Sequence, residues 1–148
     1  MKRVLVLFLL CACAGFNRRN PLESAEILDR PAPAAATSVK HILLSWSWLE
    51  VPYRRMGMTL DPRGSSRNET AADELAAKLL GQCRAGENFE AMMKEYSEDV
   101  GSVSAPPMEV TAQTRFVEPF KDLSLRLKPE ECGLVRSDFG WHVIKRYR

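Results

Sequence analysis

The order of strand and helix patterns along this chain predicts an α+β domain in which a small antiparallel sheet is flanked by helices. Two short segments at opposite ends of the domain, residues 39–44 (VKHILL) and 139–144 (FGWHVI), are rich in the β-branched and aromatic residues typical of strands. Two helix patterns and one short helical turn lie between them. Because both segments are apolar on both faces, we expect them to be central neighbours in the sheet.

The first thirteen residues have the pattern of a signal peptide. A basic start precedes an apolar run at residues 4–10, which is too short to span a bilayer as a helix. The run ends in Leu10-Cys11-Ala12-Cys13, which resembles the bacterial lipoprotein cleavage box, and this implies a lipid on Cys13. Cys11 is unusual in that box, so an ordinary cleaved signal and an uncleaved anchor are the alternatives. Each alternative still carries the domain across a membrane, and Ala14 favours the outer membrane by the same resemblance.

Residues 14–38 are expected to form a Pro/Ala-rich tether. They show no apolar periodicity, and the run RPAPAAA at residues 30–36 is typical of an extended linker. Residues 22–28 could form a fragment of helix, but nothing beside them suggests a partner. Residues 39–148 then remain as one compact domain. The net charge of +2 and the lack of a basic stripe argue against a nucleic-acid partner, and we expect a monomer.

A loop is predicted after the first strand, because residues 50–68 contain two prolines and two glycines. Within it, Arg54 and Arg55 stand side by side, and paired guanidinium groups suit a grip on an anionic substrate group. The alternative is a solvated loop whose charges serve solubility.

The helices follow this loop. A capping box, residues 70–73 (TAAD), predicts the start of a long helix that Gly86 stops. A second helix has its apolar face at residues 89, 92, 93 and 96, and Pro119 predicts a helical turn at residues 118–123. Strands at residues 133–136 and 141–147 close the chain.

Cys83 and Cys132 show neither CxxC nor zinc-site spacing. A disulfide between them is possible in an oxidising compartment, and two buried small apolar side chains are the favoured alternative.

The two histidines of the chain, His41 and His142, each lie in one of the two end strands. Taken singly, each would be interpreted as a hydrogen-bonded core residue. Brought together, they form a polar pair in an apolar setting. Five segments then resemble the parvulin-type peptidyl-prolyl isomerases in order and spacing: residues 39–44 (VKHILL), 95–99 (EYSED), 116–120 (FVEPF), 127–129 (LKP) and 139–144 (FGWHVI).

The resemblance implies a parvulin-like fold of the FKBP-like type, proline-containing polypeptide substrates, and no metal or cofactor. It assigns a catalytic polar set to His41, Asp99, Ser137 and His142, and the lining of the proline pocket to Met108, Phe116 and Phe120. One departure is important. Residues 105–110 (APPMEV) replace a glycine-rich stretch common in bacterial relatives, which puts the short second strand and one pocket wall in question.

Together with the signal-peptide pattern, the resemblance implies an extracytoplasmic enzyme that isomerises Xaa-Pro bonds and assists folding. A metal triad lacks HxH or HExxH spacing, and neither later cysteine has the flanks of a thiol nucleophile. The remaining alternative is a module that binds unfolded segments without catalysis. The altered residues 105–110 favour this module, whereas the intact polar set favours the enzyme.

Overall fold

The sheet of this protein has four antiparallel strands. The computed structural model describes residues 19–31 and 33–148, so the predicted signal peptide and the lipidation of Cys13 lie outside the described residues. The strands are β1 (Ala36–Leu44), β2 (Met108–Thr111), β3 (Cys132–Ser137) and β4 (Gly140–Arg146), in the order β2-β1-β4-β3. The predicted α+β class is confirmed, and β1 and β4 are the central neighbours.

Helices cover both faces of the sheet. They are α1 (Ala25–Leu28), α2 (Glu50–Arg55), α3 (Pro62–Ser65), α4 (Glu69–Arg84), α5 (Phe89–Tyr96), α6 (Val100–Val103) and α7 (Glu118–Arg126), with a 3₁₀ turn at Ser47–Leu49. Helices α4 and α5 pack on one face, whereas α1 and α7 pack on the other. Within the described part of the chain, no helix combines the length and apolar character needed to cross a membrane.

The strand register puts the two histidines on one face of the sheet. Leu43 of β1 pairs with His142 of β4, and His41 lies two residues before Leu43. Side chains two residues apart share a face, so the two imidazoles are diagonal neighbours on the α7 side. A two-residue turn joins β3 to β4, after which Gly140 has φ +127° and approaches the backbone of Leu44 too closely for a Cβ.

The prediction that residues 14–38 form an extended tether is wrong for residues 20–30, because they pack on the domain. Residues 20–30, here called the N-terminal strap, lie along the edge of β3. Ser24 and Ile27 are buried, and the Ser24 N–H donates to the Leu134 carbonyl at 2.9 Å. The Arg30 guanidinium holds Glu131 in a bidentate pair at 2.6 and 2.7 Å. The domain therefore begins before residue 39, because this edge of the sheet is closed by the strap.

The segment predicted as a long loop is also more ordered than expected, since it contains α2 and α3. The following helix starts one residue before the predicted capping box. Asn68 caps it by accepting from the Ala71 N–H at 2.8 Å. Asp73 instead accepts from the Trp141 indole at 2.6 Å, which ties α4 to β4.

Two questions left by the sequence are answered by the fold. Cys83 of α4 and Cys132 of β3 form a disulfide, so the preference for two unlinked buried side chains is wrong. Strand β2 forms in spite of the altered residues 105–110, and it pairs with β1 from Ala36 to Val39.

Candidate functional site

A chain of hydrogen bonds joins the four polar residues that the resemblance assigned to catalysis. His41 Nδ1 lies 3.1 Å from His142 Nδ1, and His41 Nε2 lies 3.0 Å from Asp99 Oδ2. At the other end, His142 Nε2 lies 2.7 Å from Ser137 Oγ. Both imidazoles are buried, each with 5% of its surface exposed. The structure therefore brings this predicted set together as one network.

A single direction of donation satisfies every atom of the network. The Phe139 N–H donates to Ser137 Oγ at 3.1 Å, which leaves the serine hydroxyl to donate to His142 Nε2. His142 then donates from Nδ1 to Nδ1 of His41, and His41 donates from Nε2 to the Asp99 carboxylate. These tautomers are assigned from the hydrogen-bond partners.

The charges of the network follow from its burial. Desolvation, with the nearby His41 as a second cause, holds the pKa of His142 well below its usual value, so this imidazole is neutral at pH 7. The hydrogen bond from His41 lowers the pKa of Asp99 in spite of partial burial, so this carboxyl is ionised. The network thus presents a neutral, oriented His142 imidazole, with the Asp99 carboxylate at its far end.

An aromatic-walled cavity of about 340 Å³ opens in front of the two imidazoles. Phe120 packs edge-on against both rings, with centroids 5.2 Å from His41 and 5.4 Å from His142. Phe116 lies 5.2 Å from Phe120, and Met108 also lines the space. The three side chains predicted to hold a proline ring therefore share one cavity with His41, His142 and Asp99.

A second set of polar contacts fixes the segment that carries Asp99. The Glu98 N–H donates to the Leu43 carbonyl at 2.9 Å, which fastens this segment to the end of β1. The side chain of Glu98 is almost fully buried and forms an ion pair with Arg67 at 2.7 Å. It also accepts from the Ser45 N–H at 2.7 Å. Asp99 is therefore positioned by its neighbour's contacts, because they hold the backbone that presents it to His41.

Several cavity residues were missed by the sequence interpretation. Tyr53 lines the cavity, and its hydroxyl donates to the Phe139 carbonyl at 2.7 Å. Arg115, Met58 and Asp61 also line it. Only Arg115 carried a local signal, since it directly precedes a predicted pocket phenylalanine. The others come from segments whose relation to the site depends on tertiary packing.

The arginine pair of the predicted loop lies outside this cavity. Arg54 and Arg55 are exposed on α2, and neither lines the cavity. Arg54 forms an ion pair with Glu50 at 2.7 Å, one helical turn earlier. The grip on an anionic substrate group stays a prediction, and Arg115 is the arginine that the fold places at the cavity.

The chemistry open to this site is limited by what faces the cavity. Ser137, His142 and the groups behind them resemble the relay of a serine hydrolase, but Ser137 does not line the cavity, and its oxygen already accepts from a backbone amide. Within residues 19–31 and 33–148, no group of three or more His, Cys, Asp or Glu residues could hold a metal ion. The site instead suits binding of an apolar ring beside a polar, oriented surface.

A family model and curated relatives match this arrangement. The model of the PPIC-type PPIase domain matches residues 25–147. Foldase protein PrsA 1 of Bacillus cereus is 38% identical over 79 residues, which cover 49% of this chain and 27% of that protein. Chaperone SurA of Chromohalobacter salexigens is 35% identical over 82 residues, which cover 54% of this chain and 19% of that protein. The chain thus matches no more than 27% of the length of these two relatives.

Solved structures agree with the fold. The peptidylprolyl isomerase PrsA from Bacillus cereus is 28% identical with a TM-score of 0.51, and the match covers 84% of this chain and 38% of that one. The solution structure of TbPIN1 is 24% identical with a TM-score of 0.59, and the match covers 77% and 98% of the two chains. At that identity the second likeness shows the fold alone.

Proposed function

The chain belongs to the PPIC-type, or parvulin-type, peptidyl-prolyl isomerase family, and on that premise we propose that it isomerises Xaa-Pro bonds of extracytoplasmic proteins and so assists their folding. The observation that carries the proposal is the contact of Phe120 with both imidazoles, because it joins an apolar ring-binding cavity to the polar network. Polypeptides that contain proline are the proposed substrates.

The proposed mechanism lowers a rotational barrier and breaks no covalent bond. Rotation about an amide costs roughly 18–20 kcal/mol because the twisted form loses C–N resonance. Phe116, Phe120 and Met108 would hold the pyrrolidine ring while the rest of the peptide turns. An apolar setting for the carbonyl disfavours the charge-separated resonance form, so the twisted form binds better than either planar form. Neither a metal nor a cofactor is needed for this step.

In this proposal the polar network acts through shape and orientation. Its donors and acceptors are used along a single direction, which fixes the two tautomers and the position of the rings that back Phe120. We assign His41, Asp99, Ser137 and His142 this role in catalysis, and no proton transfer to the substrate.

A binding module without catalysis is the second candidate. The altered residues 105–110 are the observation in its favour. Against it, β2 is paired with β1 and Met108 faces the cavity, so the changed stretch still supplies a pocket wall. A passive binder would also have no need of this buried polar network, since an apolar core avoids the desolvation of polar groups.

We propose an extracytoplasmic location for the mature protein. The first thirteen residues support a cleaved lipoprotein signal, with lipid on Cys13 and Ala14 favouring the outer membrane. The Cys83–Cys132 disulfide supports an oxidising compartment, because disulfides are rare where thiols are kept reduced. The chain would then be a monomer, bound to the membrane by its lipid alone.

A protease-free isomerisation assay on Xaa-Pro tetrapeptides tests the activity. We expect turnover by the full chain and a loss of about tenfold or more in kcat/KM for Phe120→Ala, which removes buried ring surface. Phe120→Leu, which keeps most of the apolar volume, should lose less. Binding of proline peptides with no rate above background would establish the binding module instead.

The double variant Arg54→Ala, Arg55→Ala provides a control in the same assay. Both side chains are exposed outside the cavity, so turnover of neutral peptides should not change. A selective loss on acidic Xaa-Pro peptides would support the predicted anionic grip.

A further inference from the structure

One short segment exposes most of the large apolar side chains that the described residues leave in solvent. Trp48, Val51, Met56 and Met58 are 75, 52, 44 and 46% exposed, and together they are called the apolar patch here. Val100, elsewhere on α6, is the fifth such side chain of the described residues. Single exposed apolar residues are ordinary, but four within eleven positions indicate a surface that meets a partner.

The patch is continuous with the proposed catalytic cavity. Met58 belongs to both, since it lines the cavity and is also exposed. Trp48 and Val51 are three residues apart on the helical stretch that runs from the 3₁₀ turn into α2, so they share its outer face. Tyr53 holds the opposite face of α2 against the cavity through its bond to Phe139. The patch therefore starts at the cavity and continues along α2.

We propose that the apolar patch binds an apolar side chain of the same unfolded polypeptide whose proline occupies the cavity. This inference rests on the proposed function and adds a second contact for long substrates. The helical stretch from residue 47 to 55 is on the order of 12–14 Å long. An extended polypeptide covers that distance in about four residues. Clients with a large apolar residue about four positions from the proline are thus preferred, and the two methionines supply adaptable contact.

The charges around the patch favour a polypeptide over an anionic membrane as its occupant. Arg54 lies within the same segment, but Glu50 neutralises it through their ion pair. In the adjoining cavity, Glu98 is ion-paired with Arg67 and Asp61 with Arg63. Asp99 remains there as a carboxylate that shares the cavity with Arg115, and Arg55 is exposed on α2. The surroundings therefore lack the cluster of basic side chains that anionic lipid attracts.

The test compares short and long substrates on the full chain. One substrate is a proline tetrapeptide, and the others are decapeptides with phenylalanine or serine four residues before or after proline. For one of the two positions, before or after proline, we expect the phenylalanine decapeptide to have a kcat/KM about three- to tenfold above that of the matching serine decapeptide. The gain should come mainly from a lower KM. The double variant Trp48→Ser, Val51→Ser should lose this gain and keep its tetrapeptide rate.

The matched control is Val100→Ser, which removes an equally exposed apolar side chain outside the patch and should leave every rate unchanged. Equal phenylalanine-to-serine ratios in parent and double variant would overturn the inference. The inference would also be overturned if the double variant kept the gain from phenylalanine but lost the parent's binding to anionic vesicles, because the patch would then be a membrane contact. If the parent turns over no tetrapeptide at all, the proposed activity fails. In that case, an affinity for the phenylalanine decapeptide that the double variant loses would still support the apolar patch as a polypeptide-binding surface.

Discussion

His142 shows at the scale of one residue how burial determines protonation. Its ring is enclosed between His41, Phe120 and the strand neighbours of β4, with water almost excluded. Charging the ring there costs solvation, and the nearby His41 adds to that cost, so the pKa is lowered in the fold. The hydrogen-bond directions assigned above use this neutral form. The same contacts therefore fix both the charge and the tautomer.

The stability of the protein should consequently fall on mild acidification. Unfolding exposes His142, whose pKa then returns to about 6.5, and the unfolded chain binds the extra proton. The contribution of this group to the free energy of unfolding is fully present above about pH 6.5. It is lost below that pH, by at most about 1.4 kcal/mol per pH unit. Urea unfolding of the parent and of His142→Gln between pH 7.5 and 5 measures this slope. The free energy of unfolding of the variant should change less with pH than that of the parent. Equal pH dependence in the two proteins would contradict the lowered pKa of His142.

Activity of His142 variants separates a shape role from proton transfer. A glutamine or asparagine can replace the imidazole's hydrogen bonds, so His142→Gln and His142→Asn should keep substantial kcat/KM on proline tetrapeptides. His142→Ala should lose about 1–3 kcal/mol of stability because it leaves the Ser137 hydroxyl hydrogen and His41 Nδ1 without a partner. Rates are compared under conditions where circular dichroism shows each variant folded. Abolished turnover in a folded His142→Asn would mean that the network moves protons.

The elements differ in how much of their structure is visible in local sequence. Strands β1 and β4 carry their own apolar pattern, so they and their pairing are predicted from it. The N-terminal strap carries none, because its single helical turn is held by distant groups. Ser24 bonds to Leu134 across 110 positions, and Arg30 bonds to Glu131 across 101. Cys83 and Cys132 likewise meet only because α4 packs on β3. Such elements can be identified only from the tertiary structure.

The strap should therefore contribute to the stability of the whole domain. Ile27 is fully buried in the core cluster under α7, so Ile27→Ala should cost about 2–4 kcal/mol in the free energy of unfolding. Ile27→Val, which removes one methylene, should cost about 0.5–1.5 kcal/mol. Urea unfolding of both variants measures the pair. A flexible tether would give no loss for either, and that result would show that the strap is detached in solution.

On the scale of the whole molecule, the site is an assembly of parts that are distant along the chain. Five residues of the polar set and the pocket lie in segments with their own motif, namely His41, Asp99, Phe116, Phe120 and His142. Ser137 and Met108 lie outside those segments and were assigned from the family resemblance alone. Tyr53 and Glu98 acquire their roles only by packing, one against Phe139 and the other against Arg67. Sequence patterns report neighbours within an element, whereas these contacts depend on how elements meet. The part of the cavity wall that Tyr53 forms was therefore not predicted, although the polar set and the three pocket residues were assigned.

The attachment of this assembly to a membrane is the last property to test. If lipid is added at Cys13, the intact mass of the membrane-fraction protein should equal a chain starting at Cys13 plus its acyl groups. Cys13→Ser should abolish that species, whereas Cys11→Ser, which keeps the modified residue, should leave it intact. Because residue 13 precedes the strap, we expect Cys13→Ser protein that reaches the same compartment to retain its stability and isomerase rate. An unlipidated, soluble product from the unaltered chain would refute the lipoprotein proposal and leave the fold and site arguments unaffected.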